Sequence, residues 1–189
     1  MTPDLHGRLK QLLTTRPRRP LENGPVPAAI LVPLFIRNGQ YHLLFTKRTD
    51  HLQHHGGEIS FPGGVLEPEE GPIEGALREA WEETGIHCDD VDVVGLLDDI
   101  YSIHHYRVTP VVGLIPPDYH YQINPDEIER LIEPPLSHFY LPDILRREQR
   151  IWQGVTYDVR HYDYQGDDIW GMTGAVLGQL LELINEALP

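Results

Sequence analysis

Glu79, Glu82 and Glu83 stand three and four residues apart, and on a helix that spacing turns their carboxylates to one face. Like charges at that density repel, which costs stability unless something positive sits among them. Ligands that are all oxygen suit a hard cation such as Mg²⁺ or Mn²⁺. Arg78, four residues before Glu82, is placed to hold one carboxylate. Upstream, Gly63 and Gly64 let the chain bend sharply and bring backbone N–H groups close to a ligand. The plainer reading of the same glutamates is an acidic, solvated helix face, since glutamate is a good helix former and such spacing is common.

The element that must carry them is a helix over residues 72–84. Pro72 suits its first turn, and Gly85 suits the left-handed position just past its end. Leu77, Ala80, Trp81 and Thr84 would seat it against a sheet. Around it, residues 28–36 and 41–47 read as strands joined through Asn38-Gly39, a pair that tolerates positive φ. Residues 58–61 read as an extended piece ended by Pro62. Residues 92–98 and 106–115 read as longer strands, and 154–164 as a hairpin or edge strand, while 126–133 stays open between strand and helix. Residues 4–13 place Leu5, Leu9, Leu12 and Leu13 on one helical face with Asp4 as N-cap, and four prolines make residues 16–27 an irregular wrap. Residues 171–188 form an amphipathic helix. Strands and helices in this order predict an α/β/α sandwich with a mixed β-sheet.

Length and composition set the frame. The chain's 189 residues fit a single domain, 1–189, with 1–27 as its N-terminal helix and wrap. A formal net charge of −14, from 29 acidic and 15 basic residues, repels bare polyanions and argues against nucleic acid as partner. A small phosphorylated ligand stays compatible if divalent cations screen it. Cys88 is the only cysteine, so an intrachain disulfide is impossible and a reducing, cytoplasmic location is expected. Neither a signal peptide nor a membrane-spanning run is readable, so no membrane partner is expected.

The fuller pattern Gly64, Glu70, Arg78, Glu79, Ala80, Glu82, Glu83, Gly85 and Ile86 resembles the Nudix box, here spanning 64–86. Leu44-Phe45-Thr46-Lys47-Arg48-Thr49, then Gln53, Gly57 and Phe61-Pro62-Gly63-Gly64, is similar to the additional signature of the Nudix coenzyme A diphosphatases. Spacing is kept, and Phe45, Thr49 and Gln53 depart from it; where the branch has an arginine, Gln53 keeps hydrogen bonding and loses the charge. The resemblance runs from about Ala28 to the C-terminus.

That resemblance implies water attack on a nucleoside-diphosphate-type substrate, coenzyme A first, with release of two phosphomonoesters. It implies Glu82 and Glu83 as principal ligands of Mg²⁺ or Mn²⁺, and Glu79 as third ligand or general base. Arg78 belongs to the same catalytic group. Glu70 is expected to brace the loop, with Glu67, Glu69 and Glu74 facing solvent. Glu127 is the candidate for a further metal ligand from outside the box, against the equal reading of a solvated glutamate. Arg48, Gln53, His55, Gly63 and Gly64 are the candidate substrate-binding residues. A homodimer is admitted by the branch resemblance, though no residue demonstrates it. ADP-ribose, dinucleotides and nucleoside triphosphates are alternative substrates, and a non-catalytic nucleotide sensor is the alternative of another class.

Other residues invite a site and favour the plainer role. The eleven histidines lack zinc-ligand spacing. Trp170 and Tyr101 offer rings for an adenine, although core packing is commoner. Arg146, Arg147 and Arg150 form a basic cluster that is either solvated or a phosphate site.

Overall fold

The computed structural model describes residues 5–21, 26–51, 56–102, 105–152 and 154–187. Asp4, Gln53 and His55 therefore lie outside the described residues. The chain opens with α1 (Leu5–Thr15), β1 (Val26–Arg37), β2 (Gln40–Leu43), β3 (Phe45–Arg48), β4 (Ile59–Ser60) and β5 (Gly63–Val65). The box helix α2 (Pro72–Thr84) leads to β6 (Asp92–Leu96), β7 (Ile100–Tyr101) and β8 (Tyr106–Leu114). After these come β9 (Ile128–Ile132), β10 (Leu145–Trp152), β11 (Val155–Tyr164), β12 (Asp167–Ile169) and α3 (Gly171–Ala187).

Strand β1 organises the sandwich. Its residues 28–35 are all buried, the pattern of a strand covered on both faces. Ala28, Ile30, Val32 and Leu34 pack in one core with Leu5, Leu9 and Leu13 of α1 and with Val176, Leu177, Leu180 and Ile184 of α3. On the opposite face Ala29 and Leu31 meet Ala76 and Ala80 of α2. Each fully buried aliphatic side chain contributes about 1.5–3 kcal/mol, so both helical layers are held chiefly by this one strand's alternation. The main sheet runs β2-β1-β8-β6, with β5 also on β1 and β7 on β8. β1 and β8 are parallel and the other pairs antiparallel, which makes the sheet mixed as expected. Asn38 and Gly39 take φ of 51° and 73°, the twisted turn that closes the β1–β2 hairpin.

One reading of the strands needs correction. The single strand expected over 41–47 splits at Leu44, and β3 leaves the main sheet to pair with β4 and β9. Leu43, Leu44 and Phe45 are all fully buried. Leu43 and Phe45 enter the main core, whereas Leu44 joins Phe35, Ile86 and Ile115, and strict alternation cannot serve both destinations within one flat pairing. Of the two alternatives for 154–164, β11 (Val155–Tyr164) forms a hairpin with β10 and, lying between β10 and β12, is not an edge. The segment left open at 126–133 is a turn followed by β9, with β9 on the outer side of β3.

Past α1 the chain is tied down by two aspartates. Arg16 pairs with Asp98 at 3.1 Å, Arg18 with the buried Asp99, and Arg19 N donates to Asp98 Oδ1. No helix among the described residues is long and apolar enough to cross a membrane.

Candidate functional site

Helix α2 is built to hold its register. Gly71 caps its start while Glu74 reaches back to Gly71 N at 2.7 Å, and Pro72 takes the first helical position. Gly85 ends it at φ 75°, donating to Trp81 O. Small residues, Ala76 and Ala80, bring the helix backbone close to β1, and Thr84 is buried beside them. Trp81 does not share that seat, contrary to the sequence reading: it is 57% exposed. One residue beyond Ala80 is about 100° further round the helix, which carries the indole off the packed face.

The three box glutamates sit at three depths. Glu83 is 2% exposed; its carboxylate accepts from Arg48 Nη1 at 3.1 Å and from Gly63 N at 3.3 Å. Burial pushes its pKa up to about 8, with Arg48 opposing and the charges of Glu127 and Glu79 reinforcing the rise. Glu79 is half-buried and its pKa is also raised by burial, against Arg78. Its carboxyl group covers Gly64, where any Cβ would stand 2.5 Å from it. Glu82 is the most open of the three.

Arg78 joins these groups. Its Nε and Nη2 donate to the two oxygens of Glu70 at 2.9 and 3.0 Å, and Nη1 donates to Glu79 at 2.9 Å and Glu82 at 3.2 Å. Glu70 also accepts from Glu67 N, so it braces the loop; the hydrogen bond from Arg78 holds its pKa below the ordinary value.

Glu127 arrives through backbone capping. Gln122 N donates to Thr84 O and Asn124 N to Glu83 O, both at 2.9 Å, satisfying carbonyls that the helix end leaves open. A Cβ on Gly85 would stand 2.8 Å from Gln122 Cβ, so glycine is what lets this segment close on the helix. Asn124 then folds back, accepting from Asp126 N at 3.1 Å and donating to Glu127 at 3.4 Å. Arg48 Nη2 lies 3.7 Å from Glu127, so one guanidinium bridges Glu127 and Glu83. Of the residues singled out from sequence, Arg48, Gly63, Gly64, Arg78, Glu79, Glu82, Glu83 and Glu127 are thus brought together. Gln53 and His55 fall outside the described residues.

A family model described as the NUDIX domain matches residues 25–151. The chain belongs to the Nudix family. It is 38% identical over 162 residues to an uncharacterized Nudix hydrolase, NudL, of Enterobacter sp. (strain 638), covering 81% of this chain and 80% of the relative. Among solved structures it is similar to a MutT/nudix family protein from Enterococcus faecalis, with a TM-score of 0.54 at 15% identity, covering 96% of this chain and 73% of that one. It is also similar to a C. elegans Ap4A hydrolase, with a TM-score of 0.50 at 20% identity over 59% of this chain and 81% of that one. These structural likenesses establish the Nudix fold.

The Nudix carboxylates fit a hard divalent cation by charge. Among the described residues Glu70, Glu79, Glu82, Glu83 and Glu127 share the guanidiniums of Arg78 and Arg48, and burial leaves Glu83 and Glu79 reluctant to ionise. Compensation of that deficit is what a cation among oxygen ligands supplies. No three of these carboxylates lie within 4.8 Å of one another, and the guanidiniums of Arg78 and Arg48 sit between them. Among the described residues the one trio of donors lying within 4.8 Å of one another is the exposed His87, Cys88 and Asp89, consecutive in sequence and outside the Nudix box.

Beside the Nudix glutamates, Trp81, Glu82, Gly85, Gln122, Asn124 and Glu127 line an open cavity of about 480 Å³. Trp81 and Gln122 were not among the sequence candidates. Helical spacing puts Trp81 with Leu77, Ala80 and Thr84, so its exposure is legible only in the packed structure, and nothing local marks Gln122.

Proposed function

We propose that this Nudix hydrolase cuts the diphosphate of coenzyme A or a coenzyme A derivative, giving 3′,5′-ADP and (acyl-)4′-phosphopantetheine. The observation that carries the reading is Glu83, a carboxylate sunk among Glu79, Glu127 and Arg48 with its pKa pushed up to about 8. A group so placed is costly for the fold and repaid by a ligand. Glu79, Glu82, Glu83 and Glu127 would hold Mg²⁺ or Mn²⁺. The cation supplies neutralisation of the diphosphate oxygens and acidifies water.

The chain's own residues do the remaining work. Arg78 fixes the rotamers of Glu79 and Glu82 from the Glu70 brace. Gly64 leaves room for the Glu79 carboxylate and for close approach of a phosphate to backbone. In this reading Arg48, Gln53 and His55 are the residues that bind the substrate phosphates. Water adds to one phosphorus, the bridging P–O bond breaks, and each product leaves as a phosphomonoester. The reading has the enzyme act on a small molecule in the cytoplasm, free of nucleic acid and membrane, and admits a homodimer.

Incubation with coenzyme A and Mg²⁺, with products identified by mass, tests it. Appearance of 3′,5′-ADP and 4′-phosphopantetheine is expected, and turnover of other diphosphates alone would overturn the coenzyme A assignment.

A second reading keeps the chemistry and changes the substrate to ADP-ribose or a dinucleotide. Gln53 in place of the branch's arginine favours it, as does the engagement of Arg48 with Glu83 and Glu127. Retention of every box glutamate opposes a non-catalytic sensor.

A further inference from the structure

We infer that Trp81 is the platform on which the substrate's nucleobase stacks, with the side-chain amide of Gln122 reading the base edge. The inference rests on the hydrolase reading and names the part of the substrate that the Trp81 cavity takes.

Trp81 is 57% exposed on the helix that carries Glu79, Glu82 and Glu83. Among the described residues its ring has no aromatic, cationic or hydrogen-bonding partner. An indole left in water forfeits the burial that ordinarily holds so large an apolar side chain inside. Its position next to Glu82 makes it one wall of the cavity whose other wall is Gln122, Asn124 and Glu127. Any substrate whose phosphates lie against the Glu82 and Glu127 carboxylates through a cation therefore has this cavity beside it.

Two features select a base over another occupant. The cavity's charged lining, Glu82 and Glu127, is anionic, which disfavours a further anionic group in it. A flat ring beside an amide that offers both a donor and an acceptor matches a heteroaromatic base better than an aliphatic arm. The Asn124 side chain is already spent on Asp126 N and Glu127, whereas the Gln122 amide has no partner among the described residues. Gln122 is also fixed by its backbone bond to Thr84 O, which sets its distance from the Trp81 ring.

The other aromatic candidates are less available. Trp170 is stacked on His161, with centroids 5.7 Å apart and planes 4° from parallel, and carries the Arg150 guanidinium 5.0 Å from its ring centroid. Tyr101 already makes contacts of its own.

The test is calorimetric titration of the full chain with AMP and, separately, with 4′-phosphopantetheine, both in Mg²⁺, for wild type, Trp81→Ala and Trp81→Phe. AMP carries no anhydride, so binding is read without turnover. Loss of one base–aromatic stack is expected to weaken AMP about ten-fold in Trp81→Ala, with most of it regained in Trp81→Phe. In turnover assays the change is expected in KM more than in kcat. Equal AMP affinity in all three proteins, no AMP binding by wild type, or a Trp81-dependent loss confined to 4′-phosphopantetheine would each overturn the inference. If wild type hydrolyses no diphosphate while AMP binding still depends on Trp81, the hydrolase reading falls and the base platform stands.

Discussion

Arg48 Nη1 lies 3.1 Å from Glu83 Oε1, and this pair ties strand β3 to the buried end of the box helix. With Nη2 turned toward Glu127, the same guanidinium spans the helix and the segment that follows its C-terminus. Arg48 opposes the rise in the Glu83 pKa that burial causes without cancelling it.

Glu83→Gln keeps the size of the side chain and an oxygen for Gly63 N, and removes the charge. Magnesium-dependent kcat is expected to fall by about a hundred-fold or more. Near-full turnover in a steady-state assay would sink the metal-ligand role.

The raised pKa of Glu83 gives a signed pH dependence. A carboxyl whose folded value is about 8, against an ordinary 4.5, binds its proton more tightly in the native state. In the metal-free protein the stability it contributes is complete below about pH 4.5 and is lost as pH rises through about 8. A cation needs the charged form, so binding releases a proton and strengthens with pH across that window. Melting in a chelator is expected to fall between about pH 6 and about pH 9, and added Mg²⁺ to raise Tm more at the upper end. An increment independent of pH would contradict the assignment.

Gly85→Ala forces a side chain into φ 75° and sets its Cβ 2.9 Å from Gln122 N. The left-handed conformation alone costs about 1–2 kcal/mol. Denaturant unfolding should show that loss. Turnover should fall as well, because the displaced segment carries Glu127.

Gly64→Ala separates the two effects. The backbone there is ordinary, and the atoms nearest the added methyl are those of the Glu79 carboxyl, 2.5 Å away at the end of a side chain. Stability is expected to change by less than about 1 kcal/mol while kcat drops about ten- to a hundred-fold through displacement of Glu79. A variant that kept wild-type kcat would show that Glu79 has no fixed position to defend.

The sequence by itself determined the parts of this protein that depend on neighbours along the chain. Pro72 and Gly85 bound the box helix, Asn38-Gly39 closes the first hairpin, and the glutamate spacing follows from helical periodicity. These are dihedral preferences and short-range repulsions, complete within a few residues. Tertiary structure alone decided which side chains were buried and what stood opposite them. It sank Glu83, left Trp81 in solvent, split the strand at Leu44 and placed β11 in the middle of its sheet. It also brought Glu127 to the box by using backbone donors of Gln122 and Asn124 on the helix's open carbonyls. Burial and long-range pairing are properties of the packed chain, and no local pattern encodes which face of a helix, or which distant carboxylate, will meet a given arginine.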